Sequence, residues 1–529
     1  MSRPKKNNNN YNKAQKAAKT EKKPTLTQPR FAARRGGEPE KRSRKKELST
    51  ITGMRDILPQ DQKYWEAVRN VAKAIALAYG YDQIDTPILE YTDLFIRGVG
   101  KQTDIVEKEM FSFIDQGGDN LCLRPEATAA VVRAYIQHGM INQMQPVKFF
   151  YLGPMFRHEK PQSGRFRQLY QFGFEAIGEI NPALDAQLIL MGWNCLNELG
   201  LESLIQVNSI GCPECRERYK QELIKYYKSK SKLLCENCKK RLAKNPLRLL
   251  DCKEDGCRQL REEAPQVLDF LDEGCKDHFM KVVEYLDELD LPYVLNPHIV
   301  RGLDYYTKTI FEYWAADDIE GKSALGGGGR YDGLVETLGG REQIPACGLA
   351  LGLDRIVAKL REKEIAVPKP YKPDIFIAQL GEAAKKKTMV LYEKLRKIEG
   401  LALAQAFYKD SLKSQLELAN KLEVKFTLIL GQKEIGDGTI LFRDMEGGVQ
   451  EVINFNKIEE ELQARLEKYY KSRTTIGLPT TCLREAEIEK LENTEEPLPL
   501  PKRKRHQDII KEEEEEEDEG EMLEKETEE

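Results

Sequence analysis

The stretch from Val147 to Ile177 constrains this chain most. Two extended runs flank a short basic turn containing Gly164, the form of an antiparallel pair of strands. Side chains alternate faces along a strand, so Tyr170, Phe172, Phe174 and Ala176 share one face and Gln171, Gly173 and Glu175 the other. The first set is apolar and must be core. The second carries an amide, a hole and a carboxylate, which is odd for a core and natural for the floor of a ligand site. Arg157, Lys160, Arg165 and Arg167 put four cations within eleven residues at the connection, and a guanidinium is a natural partner of phosphate. A solvated hairpin laced with salt bridges would carry the same charges, so the run needs company before it means a site.

Four further stretches supply that company. In Leu123-Arg124-Pro125-Glu126-Ala127-Thr128 a carboxylate and a hydroxyl follow a Pro-terminated strand and open a helix. Glu126 so placed can bind an ammonium, while Thr128 can equally be a helix cap. Arg301-Gly302-Leu303-Asp304-Tyr305-Tyr306 reads as the lining of a polar pocket or as an aromatic strand edge. Gly326 to Gly329, followed by Arg330-Tyr331-Asp332-Gly333, let backbone approach a ligand with no Cβ in the way, or form a flexible turn. No Gly-Lys-Ser/Thr follows, so this is not a P-loop. The spacing over 344–362 predicts a glycine-marked helix. There Gly348 and Gly352 would share one face and open a gap for a nucleotide or for close packing, with Arg355 as a second phosphate-grade cation.

The chain has 529 residues, room for two or three domains with their own cores. Its 83 Lys/Arg and 87 Asp/Glu nearly cancel, but the charge is segregated. Residues 1–48 hold 16 basic and 4 acidic residues, and residues 480–529 hold 8 and 20. Both ends lack the apolar content to offset ordering entropy, which predicts a disordered basic arm over 1–48 and a disordered acidic tail over 471–529. The arm can hold RNA phosphates or simply be solvated. Lys502 to Arg505 weakly matches a nuclear-targeting patch. No apolar run is long enough to span a membrane and the N-terminus has no secretory h-region.

Order is expected from Thr52. Gln62 to Ala78 shows helical spacing, and Tyr81 to Tyr91 reads as a strand interrupted by Pro87. Residues 212–290 read as an inserted helical unit. Past a linker marked by Pro368, Pro370 and Pro373, residues 374–469 follow a βαβαβ pattern, a small domain with a largely parallel sheet.

Taken together, these motifs resemble the class II aminoacyl-tRNA synthetases, and specifically the histidyl-tRNA synthetase family. The Phe-Arg-His-Glu stretch at 156–159 resembles motif 2, Gly348 to Arg355 motif 3, and the Pro87 strand motif 1, the dimerisation element. Arg301 to Tyr306 and Leu325 to Gly333 resemble the two signatures of the histidyl branch. The resemblance spans residues ~50 to ~470. It implies an α+β catalytic domain over 49–366, an antiparallel sheet with flanking helices and the 212–290 insertion. A C-terminal α/β anticodon-binding domain would follow over 373–470. It also implies ATP-dependent activation of histidine with Mg²⁺, transfer to tRNA(His), a homodimer and a cytoplasmic protein.

By that resemblance Arg157 holds the α-phosphate, Glu159 the adenine and Arg355 the γ-phosphate. Arg301 sits at the reacting carboxylate. Glu126, Ala127, Thr128 and Gln171 match positions for the substrate's amino group, and Glu175, Tyr305 and Tyr306 those that read the imidazole. A neutral imidazole offers one donor and one acceptor nitrogen, which a carboxylate and a tyrosine hydroxyl together satisfy.

The cysteines depart from that family pattern. Eleven in 529 residues is not a disulfide-scaffold density, and six of them fall between Cys212 and Cys257, which suggests a local metal site in a reducing compartment. Cys212/Cys215 and Cys235/Cys238 are C-x₂-C pairs with zinc-like separation. Regularity favours those four for a structural zinc, with Cys252 and Cys257 able to replace either pair after folding, and buried apolar cysteines as the plainer alternative. Two other functions compete with the enzyme. A histidine-sensing regulatory paralogue would be expected to lose the ATP-site residues and the C-terminal domain. An RNA-binding protein with a dead core would rest on the basic arm alone.

Overall fold

The computed structural model describes residues 48–160, 164–318, 324–367, 372–398 and 401–473. The arm over 1–48, apart from Leu48, lies outside them, as do Pro368, Pro370 and the tail beyond residue 473. An eight-stranded sheet forms the centre of the first region. Its strands run in the spatial order Asp82–Gln83, Val147–Phe156, Gln168–Ile177, Ala346–Gly352, Gly326–Arg330, Thr307–Ala315, Ser203–Ser209 and Tyr293–Leu295. Only the two outermost pairings are parallel; the six central strands are antiparallel.

One face of this sheet is the main core. Phe172, Phe174 and Ala176 from one strand and Cys347, Leu349 and Leu351 from the next are fully buried there. They pack against the helices Gln62–Ala78, Pro182–Glu198, Glu273–Glu288 and Leu353–Glu362, which supply Trp65, Leu188, Val282 and Ile356 among others. Asn181 caps the second of these helices by accepting from Ala183 N at 2.9 Å, with Pro182 at its first position.

Three readings change here. Residues 344–362 are not one helix but the strand Ala346–Gly352 followed by the helix Leu353–Glu362. Ala-Cys-Gly-Leu-Ala-Leu-Gly carries small and apolar residues at both periods, and pairing with strands on both sides decides for period two. The glycine run is likewise a central strand rather than a turn. Pro87 separates two short strands in different sheets, Asp82–Gln83 and Leu89–Tyr91. Within the 212–290 stretch, the last helix, Glu273–Glu288, packs into the main core through Phe279, Val282 and Leu286. The helices before it pack around their own core of Tyr219, Leu223, Tyr227 and Leu249.

A buried ionic network pins the glycine strand. Arg330 has no solvent exposure and contacts Asp185 at 2.8 Å and Asp332 at 3.1 Å. Asp185 also meets His278 Nε2 at 2.6 Å and accepts from Thr309 Oγ1 at 3.0 Å. One guanidinium therefore ties the glycine strand to the helix of Asp185, whose carboxylate in turn reaches His278 on a second core helix.

The C-terminal region has a five-stranded sheet in the order Leu403–Gln405, Ile375–Gln379, Phe426–Leu430, Thr439–Asp444 and Gln450–Asn454. The first three strands are parallel, and an antiparallel hairpin, absent from the sequence reading, extends them. Ile375, Ile377, Leu428 and Leu430 pack on one side, and Phe376, Ala378 and Ile429 on the other. Burial on both faces explains the unbroken apolar runs.

Candidate active site

The opposite face of the large sheet floors a cavity of about 1060 Å³. Glu126, Thr128, Gln171, Glu175, Tyr305 and Tyr306 line it together with Arg157, Glu159, Arg301 and Arg355. Ala127 alone of the expected residues is not on its wall: the methyl packs behind it with Val131, Tyr135 and Met155. Its position at the helix start turns the side chain inward.

One end of the cavity is acidic and phenolic. Glu126 stands just ahead of the helix Thr128–Gln137 and accepts from Thr128 N at 2.8 Å and Ala129 N at 3.0 Å. The carboxylate is therefore the helix cap, and Thr128 is free to donate its hydroxyl to Glu175 Oε1 at 2.7 Å. Tyr331 donates to Glu175 Oε2 at 2.5 Å. The Tyr305 and Tyr306 rings lie 4.7 Å apart, and Tyr331 meets Tyr305 edge-on at 5.7 Å. Burial, opposed by the Tyr331 and Thr128 hydroxyls and reinforced by Glu126, pushes the Glu175 carboxyl up to about 8. Gln171 Oε1 is buried without a hydrogen-bond partner, and such an acceptor calls for a donor from a ligand.

Two glycines make this end possible. Gly348 lies directly opposite Glu175 in the sheet, and a Cβ there would collide with the carboxylate. A Cβ on Gly327 would come within 2.9 Å of Arg301 Nη1 and closer still to the Phe311 carbonyl. The glycine strand thus lets Arg301 lie flat across the sheet, where it pairs with Glu312 at 2.7 Å and stands 5.7 Å from the Tyr306 ring centre.

The other end is cationic. Arg157 Nε donates to the Pro125 carbonyl at 2.9 Å, Arg165 pairs with Glu159 at 3.3 Å, and Arg355 donates to the Ala324 carbonyl. Burial, then repulsion from Arg165 and Arg157, pulls the Arg355 guanidinium down to about 10. Three arginines that repel one another around a cavity form a site for a polyanion. His158 takes no part: its backbone N donates to Glu109 O at 2.6 Å and its ring packs edge-on against Phe111 at 5.3 Å.

The sequence reading missed Tyr331. It lay inside the quoted glycine motif, but only strand pairing turns it back toward Glu175. Leu250, Asp251, Cys252, Lys253, Arg258 and Arg261 of the inserted helices also line the cavity, a proximity no sequence signal announced. The cysteines regroup as well. Cys212 and Cys215 do not join Cys235 and Cys238. Instead Cys235, Cys238, Cys252 and Cys257 form one cluster, and Cys212, Cys215, Asp272 and Cys275 another, with ligand atoms in each within 4.8 Å of one another. Folding brings the segment after the helix Glu236–Lys244 back over Cys235, so spatial order overrides regular spacing.

This architecture has known counterparts. Residues 53–356 match the model of the histidyl-tRNA synthetase family, and residues 374–465 match that of an anticodon binding domain. The histidine–tRNA ligase of Dehalococcoides mccartyi is 46% identical over 416 residues, 78% of this chain and 99% of that protein. That of Pelotomaculum thermopropionicum is 43% identical over 415 residues, covering 78% and 97%. The apo Staphylococcus aureus histidyl-tRNA synthetase superposes with a TM-score of 0.66 at 35% identity, covering 78% of this chain and 99% of that one. With the motif 2 hairpin, the arginine-bearing cavity and the C-terminal α/β unit all in place, this chain belongs to the histidyl-tRNA synthetase family.

Proposed function

We propose that the protein joins L-histidine to tRNA(His) in two steps. Histidine and ATP first give histidyl-adenylate and pyrophosphate, and the tRNA 3′ end then accepts the histidyl group and releases AMP. The observation that carries this reading is one cavity with Glu175 and three tyrosines at one end and Arg157, Arg165 and Arg355 at the other. The imidazole gives its N–H to Glu175 and accepts from a Tyr305 or Tyr306 hydroxyl. Gln171, Glu126 and Thr128 take the amino group.

A histidine carboxylate oxygen attacks the α-phosphorus as the bond to pyrophosphate breaks. Two anions meet there, so Arg157 at the α-phosphate, Arg301 beside the carboxylate and Arg355 at the γ-phosphate offset their repulsion. Mg²⁺ entering with ATP would add positive charge against the phosphates, and Glu312, which lines the cavity beside Arg301 and acts electrostatically on Arg355, is a fitting oxygen donor. Glu159 reads the adenine. No protein nucleophile is needed.

The C-terminal unit would meet the anticodon. A homodimer is supported by exposed Ile88, Leu89, Tyr91, Phe113 and Ile114 on and beside the small sheet of Leu89–Tyr91, Asn120–Leu123 and Phe111–Ile114. A cytoplasmic location fits the grouping of seven cysteines into two metal-binding sets, chemistry that needs the thiols reduced. Among the described residues no helix is long and apolar enough to cross a membrane. A structural zinc fits the Cys235, Cys238, Cys252 and Cys257 cluster: Cys235 and Cys252 Sγ are 3.9 Å apart, against about 3.8 Å along the edge of a tetrahedron with 2.3 Å Zn–S bonds.

The test is ATP–pyrophosphate exchange with each of the twenty amino acids on the wild type and Arg301→Ala. Exchange with histidine alone, abolished in the variant, is the expected result. No exchange with any amino acid from folded, metal-replete protein would favour a histidine sensor instead. The arginines at 157, 301 and 355 already speak against that sensor.

A further inference from the structure

The second cysteine cluster lies at the root of the inserted helices. We propose that Cys212, Cys215, Asp272 and Cys275 form a separate zinc site that staples the two ends of the insertion together and thereby fixes the imidazole-reading loop. Cys212 follows the strand Ser203–Ser209, and Asp272 immediately precedes the helix Glu273–Glu288. Both are N-caps, each followed three residues later by a cysteine, so two helix starts converge with one donor pair apiece.

The donors are compact enough for one ion. Cys212 and Cys215 Sγ are 3.5 Å apart, and Asp272 Oδ2 stands 3.0 Å from the first and 2.9 Å from the second. Backbone amides turn inward on the same atoms: Cys215 N donates to Cys212 Sγ at 3.4 Å, Asp272 N to Cys215 Sγ at 3.0 Å and Cys275 N to Asp272 Oδ1 at 2.7 Å. Outer hydrogen bonds of this kind orient metal ligands. Three sulfurs and a carboxylate make a donor set suited to zinc. Gly211 allows the approach: at φ +67°, a Cβ there would meet Cys215 Cβ at 2.5 Å.

A metal here closes a 60-residue loop at its base, and such a link restrains the chain between its ends. It also reaches the substrate cavity. Arg216, one residue past Cys215, donates to the Asp304 carbonyl at 3.1 Å and to that of Tyr306. On the same root, Ile210 N donates to Lys308 O at 2.8 Å and Lys308 N to Gly211 O at 2.9 Å. The staple therefore sets the backbone that presents Tyr305 and Tyr306.

The test is metal content by mass spectrometry of the full chain purified without chelator. Two zinc ions are expected in the wild type, one in Cys275→Ser, one in Cys238→Ser and none in the double variant. A single zinc in the wild type, or two retained in Cys275→Ser, overturns the site. Should Cys275→Ser not fold, Asp272→Cys keeps four donors. Its cobalt-substituted form should gain about one seventh in thiolate charge-transfer absorbance, as seven sulfur ligands become eight, and an unchanged spectrum overturns the assignment. These counts do not depend on the reaction. The link to the loop rests on the ligase reading: Cys275→Ser should raise the KM for histidine about tenfold with the KM for ATP little changed. An unchanged histidine KM in protein that has lost one zinc refutes the link and leaves the ligase reading intact.

Discussion

Removing the Tyr331 hydroxyl tests the histidine end of the cavity directly. Glu175 accepts from two hydroxyls, Tyr331 at 2.5 Å and Thr128 at 2.7 Å, and burial holds its carboxyl up at about 8. A hydrogen bond to a charged group contributes about 1.5–3 kcal/mol. At 1.36 kcal/mol per pKa unit, Tyr331→Phe should raise Glu175 by a further 1–2 units or about that. The sign follows from the raised value. Below pH 8 the free site carries the proton, and accepting an imidazole N–H requires losing it. Histidine affinity should therefore rise between pH 6.5 and 8 and then level off, with the plateau displaced upward in the variant. At pH 7.5 the KM for histidine should increase about 10–100-fold with kcat little altered, because ground state and transition state lose the same bond. Pyrophosphate exchange against histidine concentration across pH 6.5–9 reads both quantities. A variant KM within about twofold of wild type, or a wild-type KM that climbs from pH 6.5 to 8, would refute the reasoning.

Arg330→Met should destabilise the first region by about 3–5 kcal/mol in urea unfolding, since Asp185 and Asp332 lose a fully buried partner; a loss under about 1 kcal/mol would mean the network is relaxed or hydrated. Gly348→Ala should abolish histidine-dependent exchange while costing about 1–3 kcal/mol of stability, because the new methyl takes the place of the Glu175 carboxylate; near-normal exchange would show that the carboxylate is not held there. On the dimer proposed above, Phe113→Lys with Ile114→Lys should halve the mass seen by light scattering, and an unchanged mass would refute this face as the dimer interface.

The hairpin floor was legible because period two leaves no choice: Phe172 and Phe174 inward force Gln171 and Glu175 outward. The C-terminal unit was legible for the same kind of reason, its strands being apolar on both faces and separated by helical stretches. Residues 346–352 were not, since Gly, Ala and Leu satisfy both periods and only the neighbouring strands select one. Tyr331 and the Arg330 network depend on partners 156 and 145 residues away, respectively, beyond any local pattern. The cysteines show the same limit: C-x₂-C spacing announced metal chemistry, but which pairs meet is settled by how the inserted helices pack.

The register between Gln168–Ile177 and Ala346–Gly352 also governs what sequence change the molecule tolerates. Floor and core are opposite faces of the same two strands, interleaved residue by residue. Deleting a single residue ahead of Glu175 would swing the carboxylate into the apolar layer and Phe174 into the substrate's place. A length change in a loop that carries no cavity residue leaves this interleaving intact. An insertion between elements, such as the helical unit after Ser209, leaves this register untouched, whereas the two strands are fixed in number and, at Gln171, Glu175 and Gly348, in letter as well.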